Sequence, residues 1–316
     1  MKKKLSLIVP CYNEEEAFPI FYKEVVSVVS KMKYDYELIL VNDGSRDHTL
    51  DLMKEVALKD NHVKYLSFSR NFGKESAMYA GFCAADGDYI AVMDADMQDP
   101  PSLLPEMMKI LETEDYDSVA TRRETRKGEP PIRSWFARKF YKIINKISEA
   151  NVVDGARDFR LMKKEMVDAI VEMSEYSRFS KGIFGWIGFK TYWYSYENIE
   201  RVAGQTKWNF FKLFKYAIDG IINFSTAPLS IATWFGLLFS FLSFVSLVVI
   251  AILRIISGDA FIDNSTILCV VVFLSGLQML FIGIMGQYLA KTFMETKHRP
   301  HFIISETNQP NIKRIR

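Results

Sequence analysis

At 316 residues, 49% of them hydrophobic, the chain is long enough for one large domain plus an appendage. Its 40 basic and 38 acidic residues leave a net charge of +2, which excludes wholesale nucleic-acid binding, because that needs a concentrated basic surface. Cys11, Cys83 and Cys269 are odd in number and far apart, so they supply neither a disulfide framework nor a metal cluster and fit a reducing cytoplasm.

Lys2, Lys3 and Lys4 precede the apolar run Leu5 to Val9, which stops at Pro10 with Asn13 and Glu14 close behind. That run is too short for a signal-peptide core and reads as a first β-strand. Leu5–Pro10, Glu37–Val41, Val63–Phe68 and Tyr89–Met93 are short apolar runs, β-branched or aromatic in part and bounded by polar turns, as buried strands are. Between them Glu15–Lys31, Thr49–Leu58 and Lys74–Ala85 carry helical periods. Strand and helix in alternation predict an α/β fold with a mostly parallel sheet and helices on both faces. Ligands then bind at the C-terminal ends of the strands. The polar clusters stand there: Asn13–Glu14, Asn42-Asp43-Gly44-Ser45, Arg70–Asn71 and Asp94 to Asp99.

Residues 122–133 hold Arg122, Arg123, Arg126, Lys127 and Arg133 among Gly128, Pro130 and Pro131, a basic loop without core-forming residues. An amphipathic helix is expected from Ser134 to Ile147, then a polar loop to Asp158. Near residues 207–225 aromatic side chains at 208, 210, 211, 214 and 216 alternate with Lys212 and Lys215. A helix of this composition either lies along a membrane surface or packs on the domain.

Leu229–Leu253 and Thr266–Ala290 contain no charged residue. Each is long enough, at about 1.5 Å per residue, to cross a hydrocarbon core of roughly 30 Å. The short linker between them predicts a transmembrane hairpin within residues 226–292. Lys207, Lys212 and Lys215 flank it on one end and Lys291, Lys297 and Arg299 on the other, while the linker sets Arg254 against Asp259 and Asp263. The positive-inside rule then puts a domain of residues 1–206 and a tail of residues 293–316 in the cytoplasm, with the chain multi-pass in the cell membrane.

Asp94-Ala95-Asp96 directly follows the fourth strand. Two carboxylates one residue apart at a strand end suit a hard divalent cation that also binds diphosphate oxygens, where it would neutralise charge on a departing nucleotide diphosphate. Together with Val9-Pro10-Cys11-Tyr12-Asn13-Glu14 and Val41-Asn42-Asp43-Gly44-Ser45, this segment resembles the inverting family 2 glycosyltransferases of the GT-A fold. Ser69-Arg70-Asn71-Phe72-Gly73-Lys74, Asp94 to Pro100, Asp158-Phe159-Arg160-Leu161 and the C-terminal hairpin are similar to the polyprenyl-phosphate branch, which includes bactoprenol glucosyltransferases and dolichyl-phosphate sugar synthases.

The resemblance implies transfer of a hexose, with inversion, from a nucleotide diphosphate sugar to a polyprenyl phosphate such as undecaprenyl phosphate. The expected donor is UDP-glucose or UDP-N-acetylglucosamine, the alternative GDP-mannose. It implies Mg2+ or Mn2+ on Asp96 with Asp94, and assembly as a homo-oligomer through the membrane helices. Pro10, Tyr12, Glu14 and Asp43 would form the nucleotide pocket, and Asp94 would face the ribose or hexose. Arg70 and Lys74 either contact phosphate or decorate the strand end. Asp99 is either a further functional carboxylate or a helix N-terminal residue. Asp158 stands at the family's base position, but an acceptor phosphate with a second pKa of about 6 already carries its own negative oxygen. Asp158 therefore accepts a proton, orients Arg160, two residues on along an extended segment, or binds the sugar. Arg201 and Lys207 match a segment that meets the lipid phosphate, and Arg122, Arg123 and Arg126 either complete that clamp or form a solvated charge run.

Two rival readings make different demands. A processive polysaccharide synthase needs a translocation channel and usually a Q-x-x-R-W segment, which this chain lacks. A non-catalytic membrane scaffold would have shed acidic residues, yet Asp43, Asp94, Asp96 and Asp158 are all present.

Overall fold

The computed structural model describes residues 2–123, 139, 142, 144–147, 153–196, 218, 220–257, 264–310 and 312. Strands β1 (Lys4–Cys11), β2 (Asp35–Asn42), β3 (Val63–Phe68) and β4 (Tyr89–Val92) pair in parallel. Helices α1 (Phe18–Val29), α2 (Thr49–Lys59) and α3 (Lys74–Ala84) connect them. A 3-10 turn at Pro101–Leu103 leads into α4 (Leu104–Thr113), then β5 (Ser118–Arg123), β6 (Ala156–Lys163), α5 (Lys164–Glu172), α6 (Ser180–Trp186) and β7 (Thr191–Tyr196). With β8 (Ile304–Thr307) these strands form one sheet of order β7-β5-β6-β4-β1-β2-β3-β8, in which only the β5–β6, β4–β6 and β3–β8 pairings are antiparallel. The mostly parallel α/β sheet expected from the alternation is present.

Period-2 burial divides the core. Leu5, Leu7, Val9 and Cys11 of β1 face Phe18 and Phe21 of α1, Met53 of α2 and Met107 of α4, whereas Ile8 faces Ala77 and Met78 of α3, Met166 of α5 and Ile183 of α6. Helices thus cover both faces. All of β1 to β4 end on one side, and their loops meet there.

Residues 304–307, expected in a tail separate from the domain, form β8. Its pairing with β3 covers what would otherwise be an open edge. Phe302 and Ile304 are buried, and Phe302 stacks on Phe68 with ring centroids 5.3 Å apart. The signal was the short run Phe302-Ile303-Ile304.

Helices α7 (Ala227–Ser257) and α8 (Asn264–Thr296) contain the two apolar runs and extend beyond them. Ala227–Ile250 and Val270–Thr296, of mean hydropathy 2.2 and 1.9, are long and apolar enough to cross a membrane. They leave Trp234, Phe241, Phe244 and Met279 exposed, and Phe239 meets Phe273 edge-on at 6.5 Å. At about 1.5 Å per residue, 31 and 33 residues span about 46 and 50 Å, so the helices outrun a hydrocarbon core. The end of α8 reaches the domain: the Glu295 carboxylate accepts the amides of Tyr176 and Ser177 at 3.0–3.2 Å. Because β8 follows α8, both ends of the pair return to the domain.

Candidate active site

The loops after β1, β2 and β3 are laced together. Asn13 N donates to Ser45 Oγ at 3.0 Å, Arg46 N to Asn13 Oδ1 at 2.9 Å, and Glu14 N to Thr49 Oγ1 at 2.9 Å. Asp43, buried, accepts the amides of Phe72 at 2.7 Å and Gly73 at 3.0 Å. Burial pushes its carboxyl up to about 6 against those amides and the nearby charge of Arg70. Here Asp43 holds the β3–α3 loop in place. Gly44 has φ +66°, and a Cβ there would stand 2.4 Å from the carbonyl carbon of Arg70, so two loops touch backbone to backbone only because this residue has no side chain.

Lys74, at the start of α3, is the centre of the cluster. Its Nζ lies 2.7 and 2.8 Å from the two carboxylate oxygens of Asp94 and is bonded to Asp158 Oδ2 as well. The register Val92↔Arg160 between antiparallel β4 and β6 carries Asp158 level with Asp94, which is why one ammonium bridges both. Burial would lower the lysine's pKa, but Asp158 and Asp94 raise it well above its ordinary value. Burial would raise Asp158, but Lys74 and then Lys181 hold it well below the usual carboxylate range. Asp96 Oδ1 accepts the Gln98 amide at 3.1 Å, in a turn where Met97 takes φ +59°.

Asp99 does not cap a helix. It is buried, accepts the Nε of Arg157 at 3.1 Å and is bonded to the hydroxyl of Tyr196. Burial raises its pKa, and Arg157 and Tyr196 oppose the rise. Arg157 also reaches Gln98 Oε1 at 3.2 Å.

The expected Asp158–Arg160 ion pair is not formed. The two side chains share a face of β6, but the nearest cation to Asp158 comes from α3. Arg160 instead donates to Ser118 Oγ and Thr191 Oγ1, both at 3.2 Å, and stacks 4.4 Å from the Phe184 ring and 5.3 Å from the Trp193 ring. Its burial lowers the guanidinium pKa, partly offset by the charge of Asp158; a guanidinium remains protonated nonetheless.

The other expected site residues are spread along the same rim. Pro10 ends within β1, and Tyr12 and Glu14 follow it. Arg70 folds over Phe72 at 4.0 Å. Arg122 is exposed and donates to Ser195 Oγ at 2.8 Å, and the amide of Arg123 donates to Gly155 O at 3.0 Å. Arg126, Arg201 and Lys207 lie outside the described residues, as does most of the aromatic segment 207–225. Arg157 and Lys181 were missed. Arg157 adjoins Asp158, which was a usable signal, whereas Lys181 enters only because α6 packs beside β6.

Asp94 and Asp96 fit a hard cation. They are oxygen donors one residue apart beyond β4, and Asp94 already accommodates a positive group in the Lys74 ammonium. Mg2+ is characteristically held by one or two carboxylates with substrate phosphates completing the shell.

Residues 6–171 match the family model described as glycosyl transferase family 2. Over 306 residues the chain is 40% identical to the prophage bactoprenol glucosyl transferase homolog of Escherichia coli (strain K12), covering 97% of this chain and 100% of that one. It is 38% identical over 306 residues to the bactoprenol glucosyl transferase of Shigella phage SfV, covering 97% and 99%.

Proposed function

Because the chain belongs to glycosyl transferase family 2 and is a glycosyltransferase, we propose that it moves glucose from UDP-glucose to a polyprenyl phosphate such as undecaprenyl phosphate, with inversion. The names of the two full-length relatives support the sugar and the lipid. The observation that carries the reading is the Asp94–Lys74–Asp158 bridge at the strand ends of a domain from which two apolar helices depart and return. On this reading the hairpin sits in the cell membrane with the domain on the cytoplasmic side, and the exposed apolar faces of α7 and α8 meet lipid or further copies of the chain.

Asp96 and Asp94 would hold Mg2+ or Mn2+, which when bound neutralises charge on the departing nucleotide diphosphate. Tyr12, Glu14 and the loop held by Asp43 line the nucleotide side. A phosphate oxygen of the acceptor attacks the anomeric carbon from the face opposite the diphosphate. The new carbon–oxygen bond forms as the old one breaks, and its electron pair leaves on the nucleotide diphosphate, so one displacement inverts the centre. Above about pH 6 the acceptor phosphate is largely dianionic and surrenders no proton. Asp158, kept ionised by Lys74, is then an orienting charge rather than a proton acceptor. The test is to incubate membranes carrying the protein with undecaprenyl phosphate and labelled UDP-glucose, UDP-N-acetylglucosamine or GDP-mannose. Label in a chloroform-soluble, mild-acid-labile product with UDP-glucose supports the assignment. Label from GDP-mannose alone reassigns the donor, and no lipid product from any donor refutes the acceptor.

A further inference from the structure

A cavity of about 200 Å3 lies on the α6 side of the sheet, with Ala156, Arg157, Arg160, Lys181, Phe184 and Trp193 in its walls. That is space for a phosphate group but below the roughly 300 Å3 or more that sites for larger ligands occupy. We propose that this cavity receives the phosphate of the acceptor lipid, with Arg160 and Lys181 as its principal cationic ligands. The inference rests on the polyprenyl-phosphate reading above and gives that phosphate ligands other than Arg122, Arg123, Arg126, Arg201 and Lys207, to which the sequence assigned it.

Three observations converge. Arg160 is 3% exposed, and among the described residues its hydrogen-bond partners are two neutral hydroxyls and its buried Nε has no partner. A buried guanidinium hydrogen-bonded to no anion is a costly arrangement, and its planar fork matches a phosphate. Second, Lys181 has no ion pair among the described residues and meets Asp158, which Lys74 already binds, only through space. Arg157 is answered by Asp99, whereas Lys181 Nζ donates to the neutral carbonyl of Ala156 at 3.0 Å. Third, the cavity adjoins the route from the membrane. Phe224, just ahead of α7, packs 5.9 Å from Phe179, and a Cβ on Gly182 would stand 2.5 Å from the Phe224 ring. Lys181 and Phe184 are therefore on the element against which the segment leading into the first apolar helix packs. A phosphate tethered to a lipid would arrive beside α6 and meet Asp158 on the same face of β6.

Farnesyl monophosphate and farnesol, a charged and a neutral probe with one tail, separate phosphate recognition from tail recognition. Binding to the full-length protein in detergent is measured by calorimetry, with UDP binding measured in parallel. Lys181→Met, at a half-buried position, is expected to weaken farnesyl monophosphate at least about tenfold, and Arg160→Lys to weaken it likewise by removing the fork. Farnesol and UDP affinities should stay within about twofold. If both variants bind the monophosphate as wild type does while Arg122→Ala loses it, the phosphate sits at the loop and the proposal falls, with the acceptor reading intact. Equal loss of UDP affinity would assign the cavity to the donor and also overturn it. If Arg160→Lys does not fold, Lys181→Met decides. A wild type that prefers the monophosphate no more than the alcohol refutes the lipid-phosphate reading and this inference together.

Discussion

Replacing Lys74 by Met removes the cation that bridges Asp94 and Asp158 and leaves two carboxylates facing each other. A charge pair at about 4 Å in a protein-surface environment is worth about 4 kcal/mol before desolvation. The Lys74 side chain retains 39% of its exposure and that of Asp158 21%, so screening and relieved desolvation reduce the net loss to about 1–3 kcal/mol. For a domain of this size that is a fall in Tm of about 3–10 °C. The sign with pH follows from Asp158, whose folded pKa is lowered. Its contribution is present above the unfolded carboxyl value of about 3.9 and is lost as pH falls through the folded value. Lys74 is raised, so its contribution persists up to the unfolded lysine value of about 10.4 and is lost above it. The gap between wild type and Lys74→Met should therefore be wide at pH 7 and shrink below about pH 4. Melting of both proteins in detergent with EDTA, so that no metal competes for Asp94, reads this directly. Equal melting at pH 7, or a gap that widens towards acid, would refute the bridge. Turnover should fall about 100-fold, on the scale of removing one preorganised electrostatic group.

Asp96→Asn should cut turnover at least about 100-fold while Tm moves by less than about 2 °C, and EDTA should silence the wild type until Mg2+ or Mn2+ is restored; full activity in chelator would exclude metal dependence. Deleting residues 302–316 removes Phe302 and Ile304 from the edge of the sheet, and losing a buried aromatic on that scale costs about 3–5 kcal/mol. A Tm drop of about 10 °C is expected, and unchanged melting would show that β8 is dispensable. The same loss makes truncation near residue 225 a poor route to a soluble domain, because β8 goes with the hairpin. In double-mutant cycles read by stability, Lys74→Met with Asp158→Asn should couple by about 1–3 kcal/mol, and Asp158→Asn with Arg160→Lys by less than about 0.5 kcal/mol. The reverse order would restore the Asp158–Arg160 pair.

What the sequence disclosed was what local pattern controls. The first four strands follow from short apolar runs and the three helices from the 3.6 period, and the polar clusters follow from where each apolar run stops, so the rim carrying Asp43, Lys74 and Asp94 was legible. β8 was not, because a strand of four residues at an edge has too few alternations to show a period and acquires its role from β3, more than two hundred residues earlier. The Asp99–Arg157–Tyr196 group was hidden for the same reason: its members come from a turn and two strands that only the sheet order brings together.

The Asp158–Arg160 segment separates the two kinds of information. Period 2 correctly put both side chains on one face of β6, yet it could not say which opposite charge stands closest, and Lys74 is 84 residues away in sequence. That partner changes the chemistry. An aspartate coupled to a guanidinium on its own strand would share one positioning task with it. Bound to Lys74 instead, Asp158 is linked to Asp94, while Arg160 is held by hydroxyls and rings and feels Asp158 only through space. Depressing a carboxyl's pKa also weakens it as a proton acceptor, since the driving force for transfer falls with its basicity. The lysine that fixes Asp158 in place thereby argues against its service as a general base and for a reaction in which the nucleophile arrives already ionised.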